Sequence, residues 1–172
     1  GRLSGEGQGR LMTNVVVTGD FDKIDSRQVR FLQEAAQHGR LQVLLWGDET
    51  VRRVRGYEAK FTQAERAYFL ESVRFVDQVV LAEGDFSADQ LSQATSKNLQ
   101  VWVVPEDDDS PAKQAFACSL GIKYQVIRQA DLQGFPINPE ADTPPSEKKV
   151  LVTGCYDWFH SGHVRFFEET SA

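Results

Sequence analysis

The sequence predicts an α/β fold, an open parallel sheet with helices on both faces, and three observations carry that expectation. Short apolar runs rich in β-branched residues recur along the chain. Each is followed by a stretch with helical spacing or turn chemistry, so strands and helices alternate. The strand-like runs are almost continuously apolar, as strands covered on both faces are.

The elements follow in order. Asn14–Thr18 is the first strand, closed by a turn over Gly19–Asp22. Val29, Phe31, Leu32, Ala35 and Ala36 fall at helical spacing, and Gly39 stops that helix. Leu41–Trp46 is the second strand, followed by "GDETVRRVRG". Thr62 and Glu65 form a capping box ahead of the helical "RAYFLESVRFV". "DQVVLA" is the next strand, Ser87 caps a helix reaching about Lys97, and "LQVWVV" is another strand. Ser110, Pro111 at the first helical position and Gly121 bound one more helix, and "KYQVI" is the last strand. Ligands of such Rossmann-like sheets sit beyond the carboxyl ends of the strands, where strand order switches, so the turn at Gly19 lies at the binding end.

Bulk properties narrow the function classes. The 172 residues carry a net charge of −6, which argues against a general nucleic-acid binder but leaves room for a mononucleotide. No apolar run approaches the roughly 18–20 residues of a membrane span. Two cysteines, Cys118 and Cys155, support neither a disulfide framework nor a zinc-ligand spacing, so a cytoplasmic setting is expected. Residues 1–11 are rich in Gly and polar groups and lack a targeting pattern, which predicts a disordered leader, vector-derived residues or translated upstream sequence; Met12 is a natural start.

The chain also repeats itself. Val15–Ala35 aligns without gaps with Val150–Thr170 at an offset of 150 − 15 = 135 residues. Identical pairs include Thr18/Thr153, Gly19/Gly154, Asp22/Asp157, Ser26/Ser161 and the run Val29-Arg30-Phe31/Val164-Arg165-Phe166. A period this long corresponds to one domain per repeat. Between the copies, "QGFPINPEADTPPSEKK" holds four of the six prolines and has the composition of an extended linker. The expected organisation is a first domain at 12–135, a linker at 136–147 and the start of a second, truncated domain at 148–172.

The second copy holds the most chemistry. Gly154 allows a tight turn at a strand end, and Ser161, Gly162 and His163 open a helix whose free N–H groups favour anions. His160 and His163, three apart, face one side of a first helical turn and can donate hydrogen bonds to phosphate oxygens during phosphoryl or nucleotidyl transfer. Alternative readings are a polar capping or surface role for each histidine, or half of a metal site that lacks a nearby third ligand.

The whole arrangement, "VLVTGCYDWFHSGHVRFF", resembles the signature of the cytidylyltransferase-like nucleotidylyltransferases, the HIGH-motif fold: hydrophobic strand, Gly-x-(Phe/Tyr)-Asp, two residues, His-x-Gly-His and an apolar-spaced helix. Gly154, Tyr156, Asp157, His160, Gly162 and His163 carry the match. The resemblance implies that both histidines contact nucleotide phosphates, that a phosphorylated small-molecule acceptor attacks the α-phosphorus of CTP or ATP, and that pyrophosphate leaves with Mg²⁺ present. It fits members such as ethanolamine-phosphate or glycerol-3-phosphate cytidylyltransferases.

The first copy resembles the same family from Val15 to about Arg128. The resemblance assigns Arg66, on a Glu-Arg-containing helix, and Arg55 or Lys60 ahead of it, to holding the triphosphate; a solvated helix charge is the competing reading for Arg66. At the decisive place the copy departs, with Asp25-Ser26-Arg27-Gln28 where His-x-Gly-His should stand. An anion then occupies the phosphate position, and the late Arg-Thr-x-Gly-Ile-Ser-Thr type of loop is missing. The acidic "PEDDD" reads as solvated. The expectation is a catalytically inactive first copy beside an active second one. An alternative function is a structural or regulatory module that forms a homodimer or braces an active neighbour.

Overall fold

The computed structural model describes residues 13–82, 87–91, 98–137, 152, 154, 156 and 159–171. Five strands form one all-parallel sheet: β1 (Asn14–Gly19), β2 (Arg40–Leu45), β3 (Gln78–Leu81), β4 (Val101–Pro105) and β5 (Lys123–Ile127). Their order is β3-β2-β1-β4-β5, so the chain winds outward from β1 in one direction and then in the other. This is the doubly wound α/β arrangement that the alternating pattern predicts. Its binding edge lies between β1 and β4.

Period-two alternation sorts the strand residues onto two faces. Val15, Val17, Leu41, Val43, Leu45, Val101 and Val103 point one way, against Phe31, Leu32 and Ala35 of α1 (Ser26–Ala36) and Leu70 of α3 (Gln63–Glu71). Val16, Leu44, Trp102 and Val104 point the other way, against Val51 of α2 (Asp48–Arg55) and Ala117 of α4 (Pro111–Ser119). The apolar surface on each face supplies the burial that holds the layers together.

Local chemistry sets the helix ends. Asp25 caps α1 by accepting the Gln28 N–H at 2.9 Å. Thr62 and Glu65 make the expected capping box at α3, and Ser110 with Pro111 starts α4. Asp48 and Glu49 in the first turn of α2, with Arg52, Arg53 and Arg55 in its last, complement the helix dipole. The "RAYFLESVRFV" stretch leaves the helix at Glu71, because Ser72 turns its hydroxyl back onto the Phe69 carbonyl and Val73, Phe75 and Val76 fold onto the core. The helix expected from Ser87 to Lys97 falls largely outside the described residues, of which 87–91 form a turn.

A final helix, α5 (Ser161–Ser171), belongs to the repeated segment and packs on α3 of the first copy. Val164 is buried there, Phe159 meets Phe69 edge to face at 5.3 Å, and the Tyr68 hydroxyl donates to Glu168. No helix among the described residues is long and apolar enough to cross a membrane.

Candidate functional site

The binding edge opens for a geometric reason. β1 is in register with β2 over six residue pairs, from Asn14↔Arg40 to Gly19↔Leu45, but with β4 only at Val15↔Val101 and Val16↔Trp102. Beyond that point β1 and β4 part, leaving a cavity of about 320 Å³ floored by Thr18, Gly19 and Pro105. The N-terminus of α1 faces it.

The walls of this cavity are acidic and internally paired. Asp20, Asp25, Asp107 and Asp108 line it, against Arg27 and Arg55. Arg55, a candidate triphosphate ligand, donates to Asp20 at 2.7 Å and to Asp108 at 3.2 Å while lying over the Trp46 ring. Burial works against its charge, but the hydrogen bonds it donates to Asp108 and Asp20 outweigh that and push its pKa further up. Arg27, which stands where the family motif has glycine, donates across the cleft mouth to Gln129 at 2.9 Å, and Gln129 in turn donates to Asp107. Asp25 places its own carboxylate on the α1 N-terminus, where an incoming phosphate would have to compete with it.

Two expectations are corrected here. The "PEDDD" run is not simply solvated: Glu106–Asp108 form a 3-10 turn, Asp108 holds Arg55, and the Glu106 carboxylate accepts the Gln129 N–H. Arg66 is not a solvated charge. It is 2% exposed and donates to the carbonyls of Phe61 and Asp20 and to the Asp48 carboxylate, tying together the exits of β1, α2 and the α3 approach. The glycine at each turn makes room for a neighbouring ring as well: a Cβ on Gly19 would sit 3.1 Å from the Phe21 ring, and one on Gly154 would sit 2.9 Å from the Tyr156 ring. In both copies the glycine thus lies against the aromatic ring two residues on.

Asp22 is structural too, its carboxylate accepting the N–H groups of Lys60 (2.9 Å) and Phe61 (3.0 Å). This fixes the Lys60 backbone and leaves its side chain on the surface. The counterpart Asp157, like Cys155, lies outside the described residues.

The second-copy motif stands apart from the cleft. His160 and His163 come together with ring centroids 4.1 Å apart. The Gly162 N–H donates to His160 Nδ1 at 3.0 Å, and the His160 N–H donates to His163 Nδ1 at 3.3 Å. With each Nδ1 accepting, a neutral imidazole at either position carries its proton on Nε2, which is then its donor. Tyr156 and Phe159 border His163 at 5.3 and 5.4 Å.

Site residues that sequence reasoning missed are Asp20, Asp107, Asp108 and Gln129. The signal for them was topological, the meeting of the β1, β4 and β5 ends. Among the described residues no group of three or more His, Cys, Asp or Glu is placed to hold a metal ion. The aspartates of the cleft fit Arg55 and Gln129 rather than a protein-held Mg²⁺.

Comparison with known proteins agrees with this architecture. No family model matches the chain. The FAD synthase of Pyrococcus horikoshii OT-3 is 32% identical over 116 residues, covering 66% of this chain and 78% of that protein. The FAD synthase of Pyrococcus abyssi GE5 is 30% identical over 122 residues, covering 70% and 82%. A solved structure, the lipopolysaccharide core biosynthesis protein of Thermoplasma volcanium GSS1, matches with a TM-score of 0.56 over 68% of this chain and 95% of its own, at 24% identity, which shows the shared fold. With this fold, this strand order and these relatives, the chain belongs to the cytidylyltransferase-like nucleotidylyltransferase superfamily, alongside the archaeal FAD synthases.

Proposed function

We propose that the protein is a tandem nucleotidylyltransferase in which residues 12–135 form a non-catalytic copy and residues 148–172 open a catalytic one. One observation carries this reading: at matched positions of the repeat the two copies hold opposite chemistry. His160, Gly162 and His163 present two imidazoles, each accepting a backbone N–H on Nδ1, at the helix entrance. Asp25, Arg27 and Gln28 present a carboxylate on the helix N-terminus and a guanidinium strapped to Gln129.

In the second copy His160 and His163 hold the triphosphate and stabilise charge on the departing pyrophosphate as an acceptor phosphate attacks the α-phosphorus. The attacking oxygen is already anionic, so positioning does more than proton removal. Mg²⁺ would accompany the triphosphate and would neutralise charge on its phosphate oxygens. The donor is CTP or ATP; the relatives' name, FAD synthase, makes ATP the first to test, since FAD carries an adenylyl group. The acceptor is a phosphorylated small molecule, with flavin-type and CDP-alcohol-type acceptors as the two classes to compare.

Calorimetric titration of the 172-residue chain with CTP and ATP tests the first copy. No turnover is expected, and dissociation constants well above micromolar. Turnover, or binding tighter than about 1 μM (about −8 kcal/mol), overturns the inactive assignment. In a protein carrying the whole second copy, His160→Ala or His163→Ala is expected to cut pyrophosphate release at least about 100-fold. Retained activity in both variants sinks the catalytic assignment.

A further inference from the structure

We propose that the first copy is a positioning platform for the histidine pair of the second, acting through Phe61 and Phe69. The proposal rests on reading 148–172 as the start of a nucleotidyl-transferring copy, while the contact itself can be tested without nucleotide.

Two aromatic chains run from the platform to the imidazoles. Phe69 of α3 meets Phe159 edge to face at 5.3 Å, and Phe159 stacks on the His163 ring at 5.4 Å with 16° between planes. Phe61, whose backbone N–H donates to Asp22, has its ring 6.4 Å from His160. Phe61, Phe69, Phe159 and His160 enclose a small space between the copies. The backbone bonds onto each Nδ1 set the tautomers, and the rings packed beside them limit rotation. A preorganised donor pair needs both constraints.

The docking presents α5 differently from the way α1 meets its sheet. Phe31 of α1 is 5% exposed in the first copy's core, whereas its repeat counterpart Phe166 is 47% exposed. The platform instead takes Val164, 4% exposed, on the neighbouring stripe of the helix. Phe167, the counterpart of the fully buried Leu32, is half-buried and stacks on Phe159 at 5.7 Å. Glu168, the counterpart of the buried Gln33, meets Tyr68, so part of the face that α1 gives to its sheet is engaged at this contact.

A separate observation guides the chain to this place. Gln33 of α1 pairs its amide with the Ile137 peptide in both directions, accepting the N–H at 3.0 Å and donating to the carbonyl at 2.7 Å. Arg74 donates to the same carbonyl at 3.0 Å. The chain leaving the first copy is thus held against the α1–α3 side, where α5 sits.

Imidazole NMR of the 172-residue chain tests the proposal, with His38 as an internal reference. The His160 and His163 ring resonances are expected to differ from those of a peptide of residues 150–172. Phe69→Leu should move His163 toward its peptide position, and Phe61→Leu should do the same for His160. Exchange protection at the Val164 amide should fall roughly two- to tenfold in Phe69→Leu, the range of one aromatic pair. Phe69→Tyr, which keeps a ring, should restore the His163 position. An unchanged His38 resonance and unfolding midpoint show that the first copy is intact. Histidine resonances equal to the peptide's, or indifferent to both substitutions, overturn the platform. Loss of the catalytic assignment would instead appear only in pyrophosphate release, with these resonances unaffected.

Discussion

Arg66 separates a structural keystone from a nucleotide ligand, and its removal has a calculable cost. The side chain is almost fully buried and donates to Phe61 O at 3.0 Å, Asp20 O at 2.5 Å and Asp48 Oδ1 at 2.6 Å. In Arg66→Ala two carbonyls lose their donor, each worth about 1–3 kcal/mol when left unsatisfied. Asp48 is about half exposed, so its ion pair adds only about 0–1 kcal/mol. The expected destabilisation is about 3–5 kcal/mol, in the range for breaking a buried charged network. At about 2–4 °C per kcal/mol for a chain of this size, Tm should fall by roughly 6–20 °C. Arg66→Lys retains the charge but not the planar fork, and should lose about half as much. Urea unfolding followed by circular dichroism gives the numbers. A loss below about 1 kcal/mol in Arg66→Ala would refute the keystone role and return Arg66 to the list of ligand candidates.

Other outcomes follow from the same structure. Gly39→Ala places a Cβ 2.0 Å from the Thr13 carbonyl oxygen at φ +150° and should cost more than about 3 kcal/mol, whereas Gly121→Ala, at φ +67° in open space, should cost about 1 kcal/mol; matched urea curves compare the two. Hydrogen bonds from Gln114 and Tyr124 hold the Asp109 carboxyl below its ordinary pKa. Its contribution is therefore present above the unfolded value of about 3.9 and is lost as pH falls through the lower folded value. Asp109→Asn should flatten that acid limb in urea midpoints measured on either side of it, and an unchanged slope would contradict the assignment. Replacing Asp25, Arg27 and Gln28 with His, Gly and His removes the cleft carboxylate and the Gln129 strap, and should raise ATP or CTP affinity at least about tenfold by calorimetry; no gain would place the block elsewhere, foremost in the Arg55–Asp108 pair.

Much of the fold was legible in the residues. The five strands, the capping box at Thr62 and Glu65, the Ser110–Pro111 start of α4 and the parallel, two-faced architecture follow from local periodicity and cap chemistry. These are short-range properties written into neighbouring residues. The end of α3 was less legible, because Val73, Phe75 and Val76 fit a continuing helix locally but bury more surface by turning onto the core. The candidate site divides the same way. The His160–His163 pair and the departure at Asp25–Gln28 are contiguous and readable, while the cleft's other walls come from strand ends far apart in sequence.

From its sequence alone, the protein has an α/β fold, an internal repeat at an offset of 135 residues and one copy that reads Asp25-Ser26-Arg27-Gln28 where the other reads His160-Ser161-Gly162-His163. The tertiary structure decided what the charges do. It buried Arg66 as a tie between loops, turned Arg55 onto Asp20 and Asp108, and set the second copy's histidines against Phe61 and Phe69. Charged and aromatic side chains are long, and their partners are chosen by which chain segments the sheet topology brings within a few ångströms. That proximity is a property of the folded chain, and no local pattern of residues encodes it.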